Sequence, residues 1–228
     1  MINFKKNTDT YKSDTDIKTE FENFVKSKNF PCVAAITALK RDQIRTYVAG
    51  NMACPQDDQG ILKFIYEFID IYRESDADFF SAAVIFRSPD INEERVFEQL
   101  LWQRLQALAI LDARNFDYDN RVNANPSSPE FSFSLKKEAF FIVGMNPASS
   151  RPSRKFKYPV LIFNPHEQFT KLRKLNRYDK MKNIIRQRDM VYSGSVNPML
   201  DDFAEVSEAT QYSGAQHDSM WKCPLNKR

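Results

Sequence analysis

Apolar residues recur along this chain at two spacings, and the spacing changes from segment to segment. Helical spacing runs through residues 16–28, with Phe21, Phe24 and Val25 inward. It returns at 59–73, with Ile61, Ile65, Phe68 and Tyr72. The longest such run, 90–113, carries Val96, Phe97, Leu100, Leu101, Leu105 and Leu108, and Asp90 with Glu93 offers a capping box at its start. A further helix is expected at 177–188, with Met181, Ile184 and Ile185 on one side. Short apolar runs predict strands at 31–39, 43–49, 79–86 and 160–163. Residues 131–135 and 139–145 predict a hairpin closed by Lys136-Lys137. Between these elements, 117–130 reads as loop. Periodicity fades from Met190 onward, although Met199, Leu200, Phe203, Tyr212 and Trp221 predict a packed segment. The pattern predicts a flexible N-terminus at 1–14 and one α+β domain at 15–228. That domain has a mixed or antiparallel sheet of five or six strands, packed helices and an irregular C-terminal segment.

Composition adds little to the fold and more to the chemistry. The chain is 228 residues long and 42% hydrophobic, which suits one domain with a sizeable core. Aromatic content is 13%, with 19 Phe, and an aromatic-rich interior also suits a flat hydrophobic cofactor. Three widely spaced cysteines do not make a disulfide framework and point to a reducing compartment. No apolar run reaches bilayer length and the first residues lack an apolar signal core, so a cytoplasmic protein without membrane partners is expected.

The stretch PVLIFNPHEQFTKLRKL is the most informative one, because it holds His166, one of two histidines. A strand at 160–163 is followed by Asn164 as a possible N-cap, Pro165 at the first helical position and Glu167 where a capping box places its acid. His166 is then expected in the first turn of a helix, where the dipole disfavours imidazolium. A neutral imidazole can ligate a metal or haem iron, or act as a base; it can equally serve only as a capping residue.

Charge is unevenly placed despite a net +3. Residues 151–188 carry twelve Lys/Arg against two acids, whereas 189–228 carry six acids against three bases. Arg151 and Arg154, at the end of the hairpin strand, suit capture of a carboxylate or a propionate. Asp202 and Glu208 in the acidic segment suit a cationic nitrogen. The basic residues of 171–188 surround their helices rather than forming one stripe, which disfavours nucleic acid as a partner. Cys223, in Trp221-Lys222-Cys223-Pro224, is a second possible iron ligand, with His217 a third. Cys54-Pro55 repeats the Cys-Pro dipeptide without any such context, and no GxGxxG, P-loop, HExxH or GxSxG pattern is present.

Seven pieces, FPCVAAITAL, FSFSL with AFFIVGMNPASSR, VLIFNPHEQFTKLR, IRQRD, GSVNPMLDDF, SEATQYSG and WKCP, together resemble the YqcI/YcgG family of bacterial proteins over residues 21–225. Members of that family with an assigned role are haem-dependent N-oxygenases, acting on a guanidino or amino nitrogen of arginine-like amino acids. The resemblance implies haem b, an external electron donor or redox partner, and a small cationic amino-acid-like substrate. It implies His166 as axial ligand, with Cys223 as the alternative. The chain departs from the family pattern at Ala109 and Asn146, where a histidine is common. The expected function is a haem-dependent monooxygenase that hydroxylates nitrogen. The alternatives are a haem-binding sensor or carrier without turnover, and a cofactor-free anion-binding protein.

Overall fold

Five strands form a single mixed sheet: β1 (Ile44–Asn51), β2 (Ser81–Ser88), β3 (Phe133–Leu135), β4 (Glu138–Met145) and β5 (Val160–Pro165), in the spatial order β1-β2-β5-β4-β3. The computed structural model describes residues 12–196, 206–218 and 220–226. β1 and β2 run parallel, which requires a crossover; α3 (Asp58–Arg73) supplies it. Every other pair is antiparallel. The run Ala82–Phe86 in β2 is buried on both faces, and for that reason it reads as continuous rather than alternating hydrophobicity.

One face of the sheet is covered by α3 and α4 (Glu94–Asp112). Phe68, Leu101 and Leu105 there join Phe140, Ile142 and Phe163 in the larger core. On the other face, α1 (Asp14–Lys26) places Ile17, Phe21 and Val25 against Ala83, Ile85, Met145 and Val160. The helices α2 (Val33–Lys40), α5 (His166–Lys174) and α6 (Tyr178–Ser193) complete that side. Among the described residues, no helix is long and apolar enough to cross a membrane.

Three expectations change. Residues 31–39 are not a strand: from Val33 they form α2, capped by the Cys32 thiol, which accepts from Ala35 N at 3.4 Å. A short apolar run is compatible with either element, and here the run lies over the sheet instead of joining it. The capping box at Asp90 and Glu93 is absent; Glu93 is itself the N-cap of α4 and makes no side-chain cap bond. At the other end of the chain's expected flexible segment, Ser13 and Asp16 form a reciprocal capping box, so residues 13 and 14 are fixed at the start of α1.

The hairpin turn is as expected. Lys136 and Lys137 both lie in the left-handed region, φ 50° and 57°, the pattern of a two-residue type I′ loop. Lysine is a poor choice for such a backbone, and neighbours fix it there. Lys136 N donates to Asp112 Oδ1 at 2.9 Å, and Arg73 Nη2 donates to the carbonyls of Lys136 and Lys137 at 2.9 and 3.1 Å.

Between α3 and α4 lies a buried ion pair, Arg104 with Asp58; Arg104 Nε also donates to Met52 O at 3.2 Å. Truncating the cation strands a buried carboxylate. Arg104→Ala should therefore lower unfolding free energy by about 3–5 kcal/mol in a urea titration. Replacing both partners, as in Arg104→Met with Asp58→Leu, should recover most of that loss. Equal loss in both proteins would show that the pair is not what the truncation disturbs.

Candidate functional site

The strand–helix junction at His166 forms differently from the sequence expectation. Pairing between β4 and β5 continues to Phe140 opposite Pro165, so Asn164 stays in the sheet. Its side chain accepts from Ser81 Oγ at 2.7 Å and donates to Phe141 O at 3.1 Å, and it does not cap the helix. Pro165 is the N-cap residue and His166 opens α5.

His166 lines a cavity of about 300 Å³ between the sheet and α5 and α6, at the lower end of the ~300–1,000 Å³ typical of ligand sites. Its walls are largely apolar. Alternation along β4 turns Phe141, Val143 and Met145 into it, β5 adds Ile162, and Phe169, Met181 and Ile185 close it from α5 and α6. The helix α6 packs on α2, α5 and the turn before β5 rather than chiefly on strands, so it is the wall least tied to the sheet.

The polar groups of the cavity include four residues singled out in the sequence: His166, Arg151, Arg154 and Glu208. They come from three separate segments, the turn 151–154, the start of α5 and the stretch around 208, and the fold brings them together. Arg151 is held by Asp189, Nη1 to Oδ2 at 2.7 Å, and by Ser195 O at 3.2 Å. Arg154, only 7% exposed, spends Nη1 on three carbonyls, those of Gly144, Gln211 and Tyr212, at 3.4, 2.9 and 3.2 Å. Burial, and then the neighbouring Arg151, lowers its pKa to about 10, so it remains a cation at neutral pH.

Burial acts on the other two groups in opposite senses, because in both it opposes charge. It lowers the His166 pKa to about 4, helped by the nearby Arg173 cation, and keeps the imidazole neutral. It raises the Glu208 pKa to about 8, against two hydroxyl donors. Those donors are Ser132 Oγ at 2.7 Å and Tyr212 Oη at 2.6 Å, both on Oε1. Glu208 is therefore a neutral acid at pH 7. Among the described residues the wall carries five cations, Arg151, Arg154, Arg173, Lys182 and Arg186, and two acids, Glu208 and Asp189, the latter engaged by Arg151.

Cys223 and His217 do not line this cavity. Cys223 packs against the core on the α4 side, and burial raises its pKa to about 12, which disfavours the thiolate. His217 stacks on Trp221 with ring centroids 4.3 Å apart, and its Nε2 lies 3.1 Å from Glu98 Oε1. Asp202 lies outside the described residues. Ala109 is buried in the α4 core, and Asn146 Oδ1 caps the following turn by accepting from Ala148 N at 2.9 Å; neither lines the cavity. Sequence reasoning missed the cavity residues Arg173 and Arg186, which were visible only as members of a basic run. It also missed Tyr212, whose role depends on a segment without periodicity.

No solved structure matches the chain significantly. Two proteins of Bacillus subtilis (strain 168) are similar to it. "Uncharacterized protein YqcI" is 28% identical over 173 residues, covering 73% of this chain and 67% of its own. "Uncharacterized protein YcgG" is 25% identical over 199 residues, covering 85% of this chain and 74% of its own. The family profile matches residues 21–226, the whole sheet and every helix but the first turns of α1, and the chain belongs to the YqcI/YcgG family.

Proposed function

We propose that the cavity holds haem on His166 and that the protein is a haem-dependent N-oxygenase of a small amino-acid-like substrate. The observation that carries this reading is a buried imidazole, kept neutral by its surroundings, in the wall of a largely apolar cavity that also presents guanidinium groups. Among the described residues no cluster of three or more His, Cys, Asp or Glu could hold a bare metal ion. A donor set of one imidazole suits an iron already bound in a macrocycle. The cofactor would supply the activation of oxygen; the protein supplies ligand, orientation and protons. Outward movement of α6 would admit a flat macrocycle, because that helix is chiefly held by other helices.

The chain's own groups divide the remaining work. Arg154 and Arg151 offer donors to carboxylates, whether the propionates of the cofactor or the carboxylate of the substrate. Glu208 faces the same cavity as a neutral acid, so a cationic nitrogen would bind beside it with loss of its proton. Binding of a guanidinium or ammonium ligand is then coupled to pH. Arg154, buried in the wall with carbonyl partners, favours a second reading, a cofactor-free binding site for a small anion. The two readings separate on one measurement, the absorption spectrum after haem addition.

We expect about one haem per chain and a Soret band that His166→Ala abolishes or sharply shifts. A variant spectrum identical to the parent's would remove His166 as ligand, and no Soret band in the parent would leave the anion-binding reading. Arginine-like amino acids should perturb the band more strongly as pH rises through about 8, where Glu208 gives up its proton. Glu208→Gln should flatten that pH dependence; an unchanged slope would show that Glu208 does not meet the ligand.

Stability should carry the same two signatures. His166 has a folded pKa below its usual 6.5, so its stability contribution is present above that value and is lost as pH falls toward 4. Glu208 has a folded pKa above its usual 4.5, so the folded protein holds a proton that the unfolded chain gives up, and stability falls as pH rises from 4.5 through 8. Glu208→Gln should remove the alkaline decline in a series of denaturant titrations, an effect on the order of a few kcal/mol. A decline of the same size in the variant would assign it to other groups.

A further inference from the structure

The chain has two tryptophans, Trp102 and Trp221, and the fold brings both onto one line with Tyr212. Tyr212 is fully buried. Its ring meets Phe141, a cavity-wall residue, edge-on at 5.9 Å and 88°, and its hydroxyl donates to Glu208, another. Trp102, on α4, stacks on Tyr212 at 5.7 Å and 25°. Trp221 follows at 6.1 Å from Trp102, and it is partly exposed beside His217. We propose that Tyr212, Trp102 and Trp221 form a relay that carries an oxidising equivalent from the cavity wall to the protein surface. The inference rests on the oxygen chemistry proposed above for its purpose, not for its geometry.

Phenol and indole are among the side chains most readily oxidised by one electron, and in both the loss of the electron is eased when a proton can leave with it. Each buried member of this relay has such a proton partner. Tyr212 Oη donates to Glu208 Oε1 at 2.6 Å, and Trp102 Nε1 donates to Glu98 Oε1 at 3.4 Å. Glu98 also receives Ser213 Oγ at 3.3 Å, which keeps its carboxylate in place between the indole and His217.

The steps balance. An alkoxyl radical, left in the cavity when the O–O bond of an organic hydroperoxide breaks, takes one electron from Tyr212 and, with a proton from Glu208, becomes an alcohol. The phenolic proton passes to Glu208 Oε1, and Glu208, a neutral acid, gives the proton on its other oxygen to the reduced oxidant. Trp102 next reduces the tyrosyl radical, which takes its proton back from Glu208, while the Trp102 indole proton goes to Glu98. Trp221 then reduces Trp102, which recovers its proton from Glu98, and Trp221 loses its own indole proton to solvent. A small-molecule thiol restores Trp221 with one electron and one proton, and two resulting thiyl radicals couple to a disulfide. Glu208 regains a proton from water in the cavity. Each oxidising equivalent so discharged spares the cavity wall from oxidation when no substrate is bound.

The relay is tested on the purified chain with no cofactor added, so failure to bind haem cannot be mistaken for failure of the relay. Pulse radiolysis in azide solution produces azidyl radicals, which oxidise accessible indole. We expect an indolyl radical signal that converts to phenoxyl with a first-order rate independent of protein concentration. Trp102→Phe should slow the conversion by an order of magnitude or more, and Tyr212→Phe should remove the first-order phase. Trp221→Phe, at a partly exposed position, should sharply lower the initial indolyl yield, because Trp102 is only 3% exposed. An unfolding titration of each variant confirms that it is folded. Conversion at the parent rate in folded Trp102→Phe, or conversion whose rate scales with protein concentration, overturns the proposal.

Discussion

The close approach of residues 208–214 to β4 at Gly144 is the constraint on which the site depends. Gly144 N donates to Tyr212 O at 2.7 Å, and a Cβ at that position would lie 2.8 Å from the same oxygen and 2.7 Å from the Phe97 ring. The strand β3 pairs with β4 only as far as Phe140, so the outer edge of β4 beyond it is open to this segment. Arg154 closes the junction from the third side, since its Nη1 reaches the carbonyls of Gly144 and Tyr212. Three pieces of chain distant in sequence are thus fixed by one glycine without a side chain and one cation without a carboxylate partner among the described residues. Glu208 and Tyr212 take their places as a consequence.

Much of the frame was legible in the sequence, and the reasons are specific. α3 is long and strongly periodic, α4 is longer still, and the β3–β4 hairpin has two apolar runs on either side of a two-residue turn, so each could be read from the local sequence. α2 could not, because VAAITAL carries no period and its cap is a thiol, a weak acceptor rarely found there. The junction at His166 was half legible. The residue order strand, Asn-Pro, His, helix was correct, yet Asn164 was taken out of the capping role by Ser81 and Phe141, partners 83 and 23 residues away. No local pattern encodes those. The same holds for the site: His166, Arg151, Arg154 and Glu208 could be singled out by type and position, but their meeting in one cavity is a product of the sheet order.

Desolvation then gives these residues their character. Burial, and then the Arg173 cation, keeps His166 neutral. The same burial gives Glu208 a proton it would not carry in water. The wall of one cavity therefore holds both a neutral base and a neutral acid, with a buried guanidinium, Arg154, that burial does not discharge at neutral pH. Such a cavity favours ligands that bring negative charge to the arginines and can exchange a proton with Glu208.

This arrangement also explains why a redox-capable aromatic line ends where it does. The hydroxyl of Tyr212 receives Phe133 N at 3.1 Å and has two acceptors, of which Glu208 Oε1 at 2.6 Å is closer than Phe140 O at 3.3 Å, so its shorter bond points at the cavity acid. Burial and the Glu208 carboxyl raise its pKa well above the usual value, which makes the phenolate inaccessible and ties loss of an electron to loss of that proton. A tyrosine packed only to fill space would need neither the aligned acid nor the stacked indole. Here both are fixed by the contact at Gly144, and the C-terminal segment that closes the cavity is the segment that connects it, through Trp102 and Trp221, to the surface.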